Sequence, residues 1–333
     1  MGVLFLKELE KILTNNFKSF EVTDNIEKKR ILEFNQVSKK EGSIHFNFDE
    51  IRTKLVKDAV ERMGLLPMSA EFYGSTEEDV VNTHPKSKNS HLENEFGPWF
   101  ENIAKESNIW IDTNILVSRS IDSIVFGPKR SFDESSQIRI IVPRFAIFEL
   151  ENLAIKEKNN WRNNLTDRKE KESNKRKFTF ATPGRYYMAF QNLRNWKFSR
   201  IASIANLLDI RDILYFPKNL GMLTMDALIR WEISRDPRKK RFLTRDFISA
   251  LAANGEDIAS IYAHRYENLT KLHGLNSTKL AELLYEIATD IGNITLEFPN
   301  ESMLIEGIWG EKEWSDLWSQ KKLRVTTQVK MNI

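Results

Sequence analysis

Asn108-Ile-Trp-Ile-Asp-Thr-Asn-Ile-Leu116 is the stretch on which the fold of this chain turns. Ile109, Trp110 and Ile111 form an apolar, β-favouring run, Asp112-Thr113-Asn114 breaks it, and Ile115 and Leu116 open a new element. It reads as a short buried strand that ends on a carboxylate. In open α/β sheets, ligands sit at the C-terminal lip of such strands. Taken alone, Asp112 has a second reading, as the cap of the helix that follows.

On the C-terminal side, 117–137 reads as a connection and Ile138–Val142 as the next buried strand, stopped by Pro143. Residues 144–157 follow as a helix with Phe145, Phe148, Leu153 and Ile155 apolar and Glu149 near its start. After a basic stretch, 185–208 reads as helical and Ile213–Phe216 as strand-like. Residues 222–235 form a helix with Thr224 as its cap, Asp226 in its first turn and Pro237 as its stop. Arg241–Thr244 is a strand, Asp246 lies just past its end, and Phe247–Ala253 is a helix closed by Asn254-Gly255. Ile258–Tyr262 completes the series as a strand. Strands alternating with helices in this way predict an α/β domain with a parallel sheet.

The flanks differ. Leu6, Leu9, Leu13, Phe17 and Phe20 are spaced for a helix over 3–20, and Phe48, Ile51, Leu55, Ala59 and Met63 for another over 48–63. Ile44–Phe48 alternates as a short strand, periodicity is lost over 64–98, and a linker is expected in 80–97. At the other end, Leu280, Leu283, Leu284 and Ile287 line a helix. Residues 293–298 and 303–308 flank the turn Pro299-Asn300-Glu301 as a hairpin, and Leu323–Thr327 reads as a strand. Trp309, Trp314 and Trp318 lie between; they stack on bases or form the core of a small domain. The expected organisation is a mainly helical N-terminal region over 1–97, a central domain over 98–266 and a small α+β region over 267–333.

Composition narrows the chemistry. The chain has 333 residues, 41% of them hydrophobic and 29% charged, and a formal net charge of only +3, so any basic footprint is local. It has no cysteine, which excludes disulfides, thiolate nucleophiles and cysteine-held zinc or iron–sulfur centres. The N-terminus lacks a basic n-region, position 6 is Leu rather than Ser or Thr, and no apolar run spans a bilayer. A cytoplasmic protein with no membrane partner is expected.

Four acids are the chemical candidates: Asp112 after the first strand, Glu149 in the helix after the second, Asp226 opening a later helix, and Asp246 after the strand beyond it. All fall toward one edge of a parallel sheet. Gathered carboxylates repel unless a cation lies between them. Oxygen ligands without His or Cys suit Mg²⁺ or Mn²⁺, one ion or two, and such a site activates water for in-line attack on phosphate. No phosphate-binding glycine loop, zinc-protease helix or esterase elbow is present.

The segments Ile-Asp112-Thr-Asn-Ile-Leu, Val142-Pro-Arg-Phe-Ala-Ile-Phe-Glu149-Leu, Met225-Asp226-Ala-Leu-Ile and Phe242-Leu-Thr-Arg-Asp246-Phe, in that order, resemble the PIN-domain ribonucleases, whose fold is related to that of the flap nucleases. The resemblance covers roughly 105–265, about half the chain. It implies a three-layer α/β/α domain in which Asp112, Glu149, Asp226 and Asp246 hold Mg²⁺ or Mn²⁺ for hydrolysis of RNA phosphodiester bonds. It also implies that Asn114 and Thr244 support the acids. The interval from Glu149 to Asp226 is longer than in compact members, because of a basic insertion over 156–177. There Lys156, Lys158, Arg162, Arg168, Lys169, Lys175, Arg176 and Lys177 would pair with phosphates and Trp161 would stack a base; the other reading is a solvated mixed-charge segment.

A metal-dependent endoribonuclease is therefore the expected function. A non-cleaving PIN-like module for RNA or protein, and a structure-specific DNA nuclease, are the alternatives. The residues beyond the central domain raise the further expectation that a regulatory partner, or the N-terminal region itself, holds the nuclease in check.

Overall fold

A computed structural model describes residues 2–15, 18–25, 28–47, 53–63, 65, 70–74, 103–119, 140–153, 185, 189, 202–204, 224–264, 270–307 and 322–329. By its internal contacts the chain divides into two units: 1–65 with 154–188 and 267–333, and 66–153 with 189–266. The sequence reading cut the chain into consecutive regions, whereas the contacts group its two ends together.

The first unit is built on a fully antiparallel eight-stranded sheet, ordered β1-β14-β13-β12-β2-β3-β4-β11. Its strands are β1 (Gly2–Phe5), β2 (Phe20–Asp24), β3 (Lys29–Gln36), β4 (Gly42–Phe46), β11 (Lys271–Leu275), β12 (Asn293–Glu297), β13 (Glu301–Gly307) and β14 (Lys322–Val329). Alternation sets the buried face: Phe20 and Val22 point inward from β2 while Glu21 is exposed. Helices α1 (Leu6–Asn15), α2 (Thr53–Arg62) and α7 (Ser277–Ile291) complete the unit, with α7 packed against the other two. The helix expected over 3–20 is shortened to α1, since 3–5 pair with β14 as β1 and Phe20 opens β2; the helix expected over 48–63 falls on α2, and the tail hairpin on β12 and β13. The mainly helical reading of 1–97 is corrected. The described residues there hold two helices and five strands, counting β5 below; β4 falls on the strand expected at Ile44–Phe48, and β1 to β3 find partners in one sheet that local propensity does not report. Under the helices, Arg62 of α2 pairs with Asp290 at 2.6 Å and Glu286 at 3.1 Å, and Arg185 pairs with Asp58.

The second unit carries a six-stranded mixed sheet, ordered β5-β10-β9-β6-β7-β8. Its strands are β5 (Ala70–Tyr73), β6 (Asn108–Ile111), β7 (Ile140–Val142), β8 (Ala202–Ile204), β9 (Lys240–Thr244) and β10 (Ser260–Ala263). β5 is antiparallel to its neighbour, and the other five strands are parallel. β6 is central, β7 and β8 follow on one side, and β9 and β10 return on the other. The order therefore reverses between β6 and β9, which is where open α/β sheets form a crevice at their C-terminal ends. Residues 103–106 are helical, and the helices that follow are α3 (Thr113–Ser118), α4 over 144–153, α5 (Met225–Ser234) and α6 (Phe247–Gly255). One correction falls here: 185–208 is not helical throughout, since 202–204 pair with β7 as β8. Tertiary pairing overrides the weak helical periodicity of so short a segment. Ile213–Phe216, the linker 80–97 and the three tail tryptophans lie outside the described residues.

β6 is anchored at its base. Ile109, Trp110 and Ile111 are fully buried. The equally buried Asp236, before β9, accepts hydrogen bonds from Asn108 Nδ2 at 2.8 Å, Trp110 Nε1 at 3.1 Å and Arg238 Nε at 2.8 Å. Burial works against its charge, but the bonds from Arg238, Asn108 and Trp110 outweigh it and hold the carboxyl below its ordinary pKa. Asp236→Ala should cost about 2–4 kcal/mol by stranding two buried donors. Urea denaturation checks this, and a loss under about 0.5 kcal/mol would mean that the anchor carries no stability.

Candidate functional site

The turn from β6 into α3 places Asp112. It is 2% exposed and caps α3, with Oδ1 accepting from Thr113 N at 2.7 Å. Oδ2 accepts from Asn114 Nδ2 at 2.7 Å and from Thr244 Oγ1 at 2.6 Å. The capping reading of Asp112 and the site reading are therefore compatible: one oxygen caps, and the other is held by two side chains. Asn114 also donates to Thr244 Oγ1 at 3.1 Å and accepts from Arg245 N at 2.9 Å, so Asp112, Asn114 and Thr244 form one network across the β6–β9 switch point.

Asp246 lies two residues past β9. Its N–H donates to Thr244 Oγ1 at 3.0 Å, and its Oδ1 caps α6 by accepting from Ile248 N at 2.8 Å and Ser249 N at 3.2 Å. Asp226 is in the first turn of α5, whose N-cap is Thr224. Arg230, one turn on, bonds Glu256 at 3.0 Å and Ser249 at 3.4 Å, which ties α5 to α6. Glu149 is in α4, half-buried.

The acids act on one another in pairs. Burial, opposed by the Thr244 hydrogen bond and reinforced by the charges of Asp226 and Glu149, pushes Asp112 up to about 7. Burial and then Asp226 raise Glu149, with the Thr113 hydroxyl pulling it down. Burial and then Asp246 raise Asp226, with Arg230 pulling it down. Every donor to Asp112 is uncharged, and it makes no ion pair among the described residues. Among the described residues, Arg230 is the cation that acts on these acids, through Asp226.

The donor chemistry fits a hard divalent ion: oxygen ligands only, a buried carboxylate without a cation, and one orphan polar atom. Thr113 Oγ1 is buried with no hydrogen bond of ordinary geometry, although it lies near enough to Glu149 to depress its pKa. The spacing is open. Among the described residues, no three acids or histidines close together far enough to hold a metal ion.

Lys156, Lys158, Trp161, Arg162, Arg168, Lys169, Lys175, Arg176 and Lys177, with the rest of 156–177, lie outside the described residues. Two features of the neighbourhood escaped the sequence reading. Glu232, fully buried on α5, accepts from the N–H groups of Arg144 at 3.1 Å and Phe145 at 3.3 Å. A spacing of six residues from Asp226 gives no signal of that role. Phe247, 43% exposed next to Asp246, meets Tyr262 and Tyr73 edge-on at 5.5 and 6.1 Å between ring centres. Tyr262 is paired in register with Thr244, and that proximity only the sheet creates.

No protein-family model matches this chain, and neither a curated protein nor a solved structure matches it. Among the described residues, no helix is long and apolar enough to cross a membrane.

Proposed function

We propose that the chain is a Mg²⁺- or Mn²⁺-dependent endoribonuclease with a three-layer PIN-like domain, acting in the cytoplasm on RNA. The observation that carries the reading is the buried Asp112, held by Asn114 and Thr244 at the switch point of a parallel sheet, with the charges of Glu149 and Asp226 acting on Asp112 and that of Asp246 on Asp226. Asp112, Glu149, Asp226 and Asp246 would hold the ion. Once bound, the ion supplies a lowered pKa for water and charge neutralisation at phosphorus. The protein's own part is positioning. Thr244 and Asn114 fix the Asp112 carboxylate, the N-terminal turn of α6 orients Asp246, and Arg230 keeps α5 against α6. Burial and neighbouring acids raise the pKa values of Asp112, Glu149 and Asp226, and a bound cation would oppose that shift.

The test is single-stranded RNA incubated with the full chain in Mn²⁺ and in EDTA, with flap DNA as competitor. Cleavage in Mn²⁺, none in EDTA and preference for RNA are expected. Preference for the flap substrate would transfer the reading to a DNA nuclease. The open spacing of the acids favours a second reading, a PIN-like module that binds RNA or protein without cutting. Calorimetric titration separates the two, since a folded chain that takes up no Mn²⁺ or Mg²⁺ is such a module. Regulation by a partner or by 1–97 is part of the proposal, and deletion of 1–97 without change in activity would remove it.

A further inference from the structure

Glu232 is a buried charge that the proposed chemistry does not use. It is 0% exposed. An isolated buried carboxylate is costly unless donors meet it. Its two oxygens meet the N–H groups of Arg144 at 3.1 Å and Phe145 at 3.3 Å. Those residues open α4, where the first N–H groups have no partner inside the helix; the first bond back along the chain is Ile147 N to Pro143 O at 3.3 Å. Glu232 thus caps α4 from another helix, with its negative charge at the positive end of the helix dipole. Phe145 and Trp231 add an edge contact at 6.5 Å between ring centres.

The connection has a direction. Glu149 is on α4, five residues beyond Arg144, and Asp226 is on α5 with Glu232. Arg230 ties α5 to α6, whose N-cap is Asp246. One helix therefore carries one candidate ligand and grips the helices of two others. We infer that Glu232 is a positioning residue: by fixing the start of α4 against α5 it sets how far Glu149 stands from Asp226. The inference rests on the metal-site reading above, and the closing experiment separates the two.

Mn²⁺ is titrated calorimetrically into the full chain as wild type, Glu232→Ala and Glu232→Gln, with thermal unfolding recorded for each. Loss of the cap should weaken Mn²⁺ binding in Glu232→Ala by about 10–100-fold, the range seen when residues behind metal ligands are removed. Glu232→Gln keeps one acceptor and should recover part of that loss. If Glu232→Ala does not fold, Glu232→Gln alone decides, with an expected weakening of about threefold or more. A folded variant, Ala or Gln, that binds Mn²⁺ as tightly as wild type overturns the inference and leaves the metal site standing. A wild-type chain that takes up no Mn²⁺ overturns the metal reading and the inference with it. Hydrogen exchange of the metal-free chain should quicken over 144–150 in the variants and not over 247–253; uniform quickening would mean that Glu232 serves general stability only.

Discussion

Asp112→Asn is expected to lower Mn²⁺-dependent cleavage of single-stranded RNA by at least about 10³-fold, equivalent to about 4 kcal/mol of transition-state stabilisation. Asp112 makes the most specific contacts of the four acids. It is buried, one oxygen is fixed by Thr244 at 2.6 Å and Asn114 at 2.7 Å, and the other by the N–H of Thr113. Asparagine can keep the side-chain half of that geometry, its carbonyl oxygen receiving Thr244 and Asn114, but its amide NH₂ then faces the Thr113 N–H and the helix cap is lost. It also loses the charge. The substitution removes the attraction for the ion while leaving two of the three hydrogen bonds, so it is read only on protein shown to be folded. Single-turnover assays on matched, folded preparations read the effect. Cleavage within tenfold of wild type would remove Asp112 from the chemistry. Thr244→Val tests the support behind it. It deletes the shortest hydrogen bond to Asp112 and should lower Mn²⁺ affinity by about tenfold with a smaller effect on cleavage at saturating Mn²⁺.

The second large effect is on stability, and its sign follows from burial. Asp112 has an ordinary value of 3.8 and is pushed to about 7 in the folded chain. Between those values the unfolded chain releases the proton and the folded chain keeps it. The folded state then binds more protons, so stability falls as pH rises through this window and levels off above about 7. A shift of this size corresponds to a loss of up to about 4 kcal/mol for the metal-free protein. Glu149, Asp226 and Glu232 are also raised and add in the same direction, while Asp236, which is lowered, contributes in the opposite sense on the acid side. Urea denaturation in EDTA from pH 4 to pH 8 measures the slope, and Asp112→Asn should flatten it. Saturating Mn²⁺ should restore stability at the alkaline end, by about 2.7 kcal/mol at a hundred times Kd. Equal slopes in wild type and variant would mean that the Asp112 carboxyl is not strained by burial.

The second unit was the more legible of the two. Ile109-Trp110-Ile111 as a buried strand, the Thr224 cap of α5, and α6 from Phe247 to Gly255 are all written in local pattern, because each is a short element with a clear stop. β8 was not, since three residues at a sheet edge are held by their neighbour rather than by their own propensity. In the first unit β1, β2, β3 and β11 were not legible, because β1 and β2 are completed by strands from the other end of the chain and β11 by β4. At the candidate site, Asn114 and Thr244 were named with Asp112 only as the supports that the family resemblance implies, and the hydrogen bonds place both on the Asp112 carboxylate. Glu232 could not be named, because its partners, the N–H groups of Arg144 and Phe145, lie 88 and 87 residues away in sequence.

Crystals of the full chain grown or soaked with Mn²⁺, with anomalous scattering to locate the ion, test the central claim most directly. The account predicts Mn²⁺ at the C-terminal end of β6, about 2.1 Å from an Asp112 oxygen and bound by at least two of Glu149, Asp226 and Asp246, drawn closer than they stand without it. Anomalous signal elsewhere, or none at the β6–β9 crevice at saturating Mn²⁺, would contradict it.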